Sequence, residues 1–252
     1  MNAFFNGEIF KDSLWLLVQQ LPIVIEVLVL GLICAWTWGL ILSLIRLSRF
    51  RPLRYLAGAY IDVFRGLPLL LLFIFIYYGL PHAGIKLNEL TSGVLGLTLC
   101  YGAYSAEIFR AGIQAIPKGQ TEAARSLGMT GGQAMRYVIL PQAVKLVVPP
   151  LTNEFIAMIK DTALMSVISV PELLFTAKEK MGVVANSTPL TVAALIYLAF
   201  TIPLIRIAAM MENRRRKSKP GGKPPSGITP EAEKKLFDSD IAGQVPKGGE
   251  GW

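Results

Sequence analysis

From Pro22 to Leu44 the chain is almost purely apolar, and Arg46, Arg49, Arg51 and Arg54 follow at once. A helix of about 23 such residues crosses the roughly 30 Å hydrocarbon core of a bilayer. A soluble helix, by contrast, keeps one polar face. The arginines mark the cytoplasmic end of this segment by the positive-inside rule, so the N-terminus is expected outside. Every later segment must fit a chain already committed to lipid.

Composition agrees: hydrophobic residues make up 53% of the 252 and charged residues 17%, against about 25% charged in an average soluble domain. Residues 1–20 mix Phe4, Phe5, Ile9, Phe10, Leu14 and Trp15 with Glu8, Lys11 and Asp12, an amphipathic pattern suited to a membrane surface. No basic start or small-residue cleavage site marks a signal peptide there. The uninterrupted apolar run Leu67–Leu80 holds only about 14 residues and has to borrow from Tyr55–Gly66 to cross. That brings in Asp62 and Arg65, three apart on one helix face, with Gly66 and Pro68 marking a break. These charges read either as functional or as an arginine snorkelling at the cytoplasmic edge.

Pro81–Ser92 is an outside loop, and a third span is expected over Gly93–Ile113, where Glu107 and Arg110 can pair. Pro149-Pro150 is expected to separate a short segment from a fourth span over Pro150–Ser169. That span carries Glu154, Lys160 and Asp161. Glu154 and Asp161 are seven apart and share a face, which either lines a polar path or pairs with other helices. Val170–Ser187 returns outside, and Pro189–Met211 forms a fifth span, bent near Pro203 and ending in Arg206, Arg214, Arg215 and Arg216. The fold expected is all-α and polytopic, with about five transmembrane helices, N-terminus outside and C-terminus cytoplasmic. The membrane domain runs over 21–212. The Pro-, Gly- and Lys-rich tail 213–252 has too little apolar surface to offset its ordering entropy and is expected to be disordered.

One stretch, Thr121 to Ala143, is polar and rich in small residues. Glu122-Ala123-Ala124 opens a short helix behind a Thr121 cap, Gly128 stops it, and a second pattern through Met135, Val138 and Ile139 runs to a boundary at Pro141. Glu-Ala-Ala, three residues, Gly128, nine residues, Val138, one residue and Leu140-Pro141 resembles the cytoplasmic coupling loop of ABC importer permeases. Arg65-Gly66-Leu67-Pro68-Leu69, Ser105 to Ile113, Asn153-Glu154-Phe155 and Lys160-Asp161-Thr162 look like the polar amino-acid branch of that family. The likeness covers roughly residues 15–212 and departs mildly at Leu67 and Ala163, where the family often has Thr and Ser.

The resemblance implies a multi-pass subunit in the cytoplasmic (inner) membrane of a prokaryote, with a cytoplasmic coupling helix. It also implies an amino-acid substrate, a cytoplasmic ABC ATPase dimer, a second permease, identical or homologous, and an extracytoplasmic solute-binding protein. Glu122, Ala123, Ala124, Gly128, Leu140 and Pro141 fall on the ATPase-coupling positions. Arg65, Glu107, Glu154, Lys160 and Asp161 are candidates for the translocation path. ATP is used by the partner, since the Gly221-Gly222-Lys223 step lacks the phosphate-cradling spacing. No catalytic residue, cofactor or metal cluster is expected in this chain. Cys34 and Cys100 read as small buried hydrophobes, and the net charge of +8 as topology rather than nucleic-acid binding. A gradient-driven transporter, against which the lack of convincing internal repeats counts, and a non-transporting scaffold are the rival classes.

Overall fold

The computed structural model describes residues 6–217. The chain divides into units Met1–Met211 and Glu212–Trp252, and the tail expected to be disordered lies, from residue 218, outside the described residues. Among those described, every regular element is helical. Helix α1 (Gly7–Val18) starts where the Asn6 side chain accepts hydrogen bonds from the N–H groups of Glu8 and Ile9. It continues into α2 (Leu21–Leu47) through Gln19 and Gln20, both in right-handed helical conformation. Gly7–Leu47 and Thr188–Met210 are long and apolar enough to cross a membrane. The pair Arg51–Gly66 and Leu69–Ala83, bent by 103°, is a third candidate if it counts as one span.

The centre of the bundle is the seam between α2 and α5 (Glu89–Gln114). Gly31, Ala35 and Gly39 recur every four residues on α2 and are buried. A Cβ placed on Gly39 would lie 2.6 Å from the Ser105 Cβ of α5. Glycine there lets the backbones approach as small-residue stripes do in lipid, where dispersion rather than water drives association. Across the same seam the Trp38 indole N–H donates to Tyr60 Oη at 2.9 Å, and Tyr60 Oη donates to the Leu99 carbonyl at 3.0 Å. One phenol thereby ties α2 and α5 to α3 (Arg51–Gly66).

The break expected at Gly66 and Pro68 is present. Leu67 and Pro68 are extended, as the residue before a proline prefers, and α4 (Leu69–Ile74) restarts after them. A π-helical turn, Phe75–Gly79, then leads into Leu80-Pro81. The same device recurs later: π turn Met135–Ile139 leads into Leu140-Pro141. Proline has no N–H for the i−4 carbonyl. In both turns the N–H of the leucine before it reaches back five residues instead, to Phe75 O and to Met135 O. Pro141 is therefore not the helix boundary expected from the sequence. The chain passes it, and passes Pro149 and Pro150, in one helix, α8 (Leu140–Asp161).

The second segment thus starts before its prolines, a correction to the span placed at Pro150–Ser169. Packing against α5 supplies the support a proline-containing helix needs in a membrane. After Asp161 the backbone tightens into a 3-10 stretch, Thr162–Ile168, that ends at Ser169 with φ 65°. The loop expected over Val170–Ser187 contains α9 (Leu173–Val184), capped by the Glu172 carboxylate. That carboxylate accepts from the N–H groups of Leu174 and Phe175 at 2.8 and 2.7 Å and from Tyr197 Oη at 2.7 Å. Tyr197 belongs to α10 (Thr188–Lys217), which continues past Pro203.

Between α5 and α8 stands the polar hairpin. Helix α6 (Lys118–Ser126) starts three residues before Thr121, because Pro117, with φ −55° and ψ 136°, forms the extended step before it. Thr121 is therefore not its cap. Gly128 stops the helix in the left-handed region at φ 84°. Thr130 and Gln133 then exchange the two hydrogen bonds of a capping box, which starts α7 (Gly131–Ala134).

A candidate translocation site between α5 and α8

Tyr101 and Ser105 are four apart on α5, and Glu154 and Asp161 are seven apart on α8. Each pair therefore lies along one side of its helix. The helices pack so that Tyr101 Oη donates to Asp161 Oδ2 at 2.7 Å and Ser105 Oγ donates to Glu154 Oε2 at 2.7 Å. The crossed order, the earlier residue of one helix bonded to the later residue of the other, is that of antiparallel neighbours. Both carboxyl groups line a cavity of about 520 Å³, with Leu67, Pro68 and Leu69 from the broken segment and Cys100 and Tyr104 from α5. The irregular backbone at Leu67-Pro68 sits where it lines this cavity, the setting in which a membrane tolerates it.

The cavity lining is acidic, aromatic and apolar, and no basic residue contributes to it. Glu154 is buried, and while Ser105 satisfies one oxygen, Oε1 has no hydrogen-bond partner. The Trp36 side chain is the second donor group at this carboxyl, although its buried Nε1 makes no hydrogen bond of normal geometry. Donor and acceptor are held out of water together, each the other's available partner.

The other residues singled out on sequence grounds are dispersed. Arg65 is exposed and does not meet Asp62. Its guanidinium stands 5.4 Å from the centre of the Tyr104 ring, and Tyr104 Oη donates to the Arg65 carbonyl at 3.2 Å. Cation–π attraction to a ring on α5 replaces the expected contact within α3. Glu107 and Arg110 form the expected ion pair, the Arg110 Nε donating to Glu107 Oε2 at 2.9 Å. Neither residue lines the cavity. Lys160 is exposed and lies outside its lining. Cys100 is buried but Cys34 is exposed, which corrects the reading of both as core.

On the hairpin, Glu122, Ala123, Leu140 and Pro141 are exposed. Ala124 is only 3% exposed: it faces inward, on the side by which α6 packs on the π turn at Met135–Ile139. Its small side chain serves the hairpin's own packing, a correction to its placement at an open partner surface. Leu127, 81% exposed, and Tyr137 stand out instead. Sequence reasoning missed Ser105, Trp36 and Glu172 as polar partners. The i, i+4 spacing of Tyr101 and Ser105 matched to two carboxylates was the one signal available for Ser105. Glu172 gave none, since its cap and its Tyr197 contact are tertiary.

The model of the binding-protein-dependent transport system inner membrane component family matches residues 27–217. A probable glutamine ABC transporter permease protein, GlnM, of Bacillus subtilis (strain 168) is 40% identical over 75% of this chain and 88% of its own length. The arginine transport system permease protein ArtQ of the same organism is 35% identical over 86% of this chain and 100% of its own. Among solved structures, an amino acid ABC transporter with histidines superposes with a TM-score of 0.77 at 38% identity, covering 85% of this chain and 100% of that one. A MetNI methionine ABC transporter in an inward-facing conformation, at 20% identity and TM-score 0.59, shares the fold over 80% of this chain and 98% of its own.

Proposed function

The chain belongs to the family of binding-protein-dependent transport system inner membrane components, and from that premise we propose that it forms the path by which an ATP-driven importer carries an amino acid through the cavity between α5 and α8. It is the membrane component of an ABC transporter and not itself an enzyme. The observation that carries the substrate reading is the pair of carboxyl groups, Glu154 and Asp161, on one cavity without a basic residue in its lining. Such a lining favours the ammonium group that every amino acid carries, and favours a second cationic group further. In this reading the Glu154 carboxylate attracts the ammonium and Asp161 meets a cationic or polar side chain. Glu107 with Arg110, and Lys160, have no direct role.

The energy comes from a cytoplasmic ATPase dimer that grips the α6 hairpin at Glu122, Ala123, Leu127 and Tyr137. Gly128 and Leu140-Pro141 fix the angle at which the hairpin leaves the bundle. A second permease, a copy or a homologue, closes the path, and an extracytoplasmic binding protein delivers the substrate. The topology is five crossings in a cytoplasmic (inner) membrane, N-terminus outside and C-terminus inside. Two crossings are the apolar helices, the third is the broken segment, and α5 and α8 are the remaining two. At about 39 Å and 33 Å these are long enough to cross. Their polar residues are shielded by neighbouring helices.

The test is purification of the tagged chain in mild detergent, with identification of its companions and reconstitution into liposomes. Co-purification of an ATPase, and ATP-dependent uptake of arginine or glutamine that Glu154→Gln weakens, support the reading. Uptake driven by an ion gradient with no ATPase bound overturns it.

A further inference from the structure

A second cavity, about 390 Å³, opens where α2 ends, lined by Arg46, Leu47, Ser48, Arg54, Tyr55, Arg110 and Gln114. Three guanidinium groups from three helices meet on it. Arg110 is neutralised by Glu107, but neither Arg46 nor Arg54 has an ion-pair partner among the described residues. Two positive charges are therefore left in excess at one concave site. Arg46 is positioned by a close approach: a Cβ on Gly58 would fall 1.8 Å from its Nη1, so its guanidinium lies directly across α3. Ser48, on the same cavity, has a buried Oγ without a hydrogen-bond partner. Beside these polar groups α3 presents Leu53, Tyr55 and Leu56, all exposed and apolar or aromatic.

We propose that this cavity is a binding site for the phosphate group of an anionic phospholipid. Convergent guanidinium groups offer N–H pairs that match phosphate oxygens. The exposed Leu53 and Leu56 give acyl chains an adjoining surface, which a soluble phosphate does not need. Basic pockets between membrane helices at the cytoplasmic face hold lipid headgroups in this manner. The choice of leaflet rests on the orientation proposed above, but the binding itself does not.

The experiment is native mass spectrometry of the full-length protein, purified with whatever subunits accompany it, delipidated, and titrated with phosphatidylglycerol or with phosphatidylcholine. Phosphatidylglycerol is expected to bind more tightly, and Arg46→Gln with Arg54→Gln to weaken it about 30-fold, since each arginine near an anionic headgroup contributes roughly a fivefold factor. Gly58→Ala keeps every charge but pushes the Arg46 guanidinium aside, and is expected to weaken the same lipid about fivefold by the same reckoning. It provides the reading should the double variant fail to fold. Equal binding of both lipids, or phosphatidylglycerol affinity unchanged in either variant, overturns the site. Displacement of the lipid by millimolar inorganic phosphate overturns its assignment to a lipid.

Discussion

Glu154 sits on the cavity lining with one carboxylate oxygen held by Ser105 and the other buried without a hydrogen-bond partner. Glu154→Gln keeps the shape and the Ser105 contact while removing the charge. It is expected to raise the KM for uptake of a cationic amino acid by roughly 10- to 100-fold, the range of a hydrogen bond to a charged group. Lys160→Gln, outside the cavity, leaves KM unchanged in the same proteoliposome assay. Ser105→Ala strips the buried carboxyl of its one direct donor and is expected to cost about 1–3 kcal/mol of stability, read from unfolding in mixed micelles. These residues were only half legible in the sequence. Glu154 and Asp161 stood out because charge in an apolar helix is expensive, but the one local mark on Ser105 is its four-residue spacing from Tyr101. Its role exists only because Gly39 lets α2 and α5 approach closely and α8 lies alongside.

The seam of small residues between α2 and α5 holds the centre of the bundle together, and the break at Leu67-Pro68 lines its cavity. Gly39→Val is expected to part α2 from α5 by forcing a side chain against Ser105. The cost is about 1–3 kcal/mol, with a weaker Ser105–Glu154 contact and lower uptake, both absent if the seam is not what holds the helices. At the hairpin, Gly128 has φ 84° and open space around its Cβ position. Gly128→Ala therefore strains the backbone alone, by about 1–2 kcal/mol. The expected outcome is normal insertion and ATPase binding with reduced transport per ATP hydrolysed; an unchanged ratio would place the coupling elsewhere. The π turn before Pro141 shows why proline misleads when a sequence is read for boundaries. A helix boundary was expected there from a missing N–H, and a one-residue shift in hydrogen-bond register absorbed it.

For the molecule as a whole, the positive-inside pattern and the proposed function make one topological statement. In that proposal the α6 hairpin faces the ATPase side and α9 the side of the binding protein. Single cysteines at Leu127 and at Val183, both highly exposed, check it in a background where Cys34 and Cys100 are replaced by serine. Membrane-impermeant maleimide is expected to label Val183→Cys in intact cells, and Leu127→Cys only after permeabilisation. The reverse pattern would invert the importer. The two ends are tied into the bundle by separate devices. Asn6 N–H donates to Thr188 Oγ1 at 3.1 Å, joining the start of α1 to the start of α10, while Glu172 joins α9 to α10.

What the sequence determined by itself is the membrane commitment, the order of its apolar segments, the break at Gly66–Pro68 and the polar hairpin. Each of these follows from local quantities: length of apolar run, flanking charge and turn chemistry. The sequence also marked Glu154 and Asp161 as one face of a helix. Only the tertiary structure decided which partners that face meets, that Arg65 turns to Tyr104 rather than Asp62, that Ala124 packs inward, and that Pro141, Pro149 and Pro150 lie within helix. The physical reason is common to all four. Each outcome depends on what a neighbouring helix offers across a gap of a few ångströms: a ring, a donor or a supporting surface. A one-dimensional pattern carries the cost of a buried charge or a missing N–H, but not the identity of the group that offsets it.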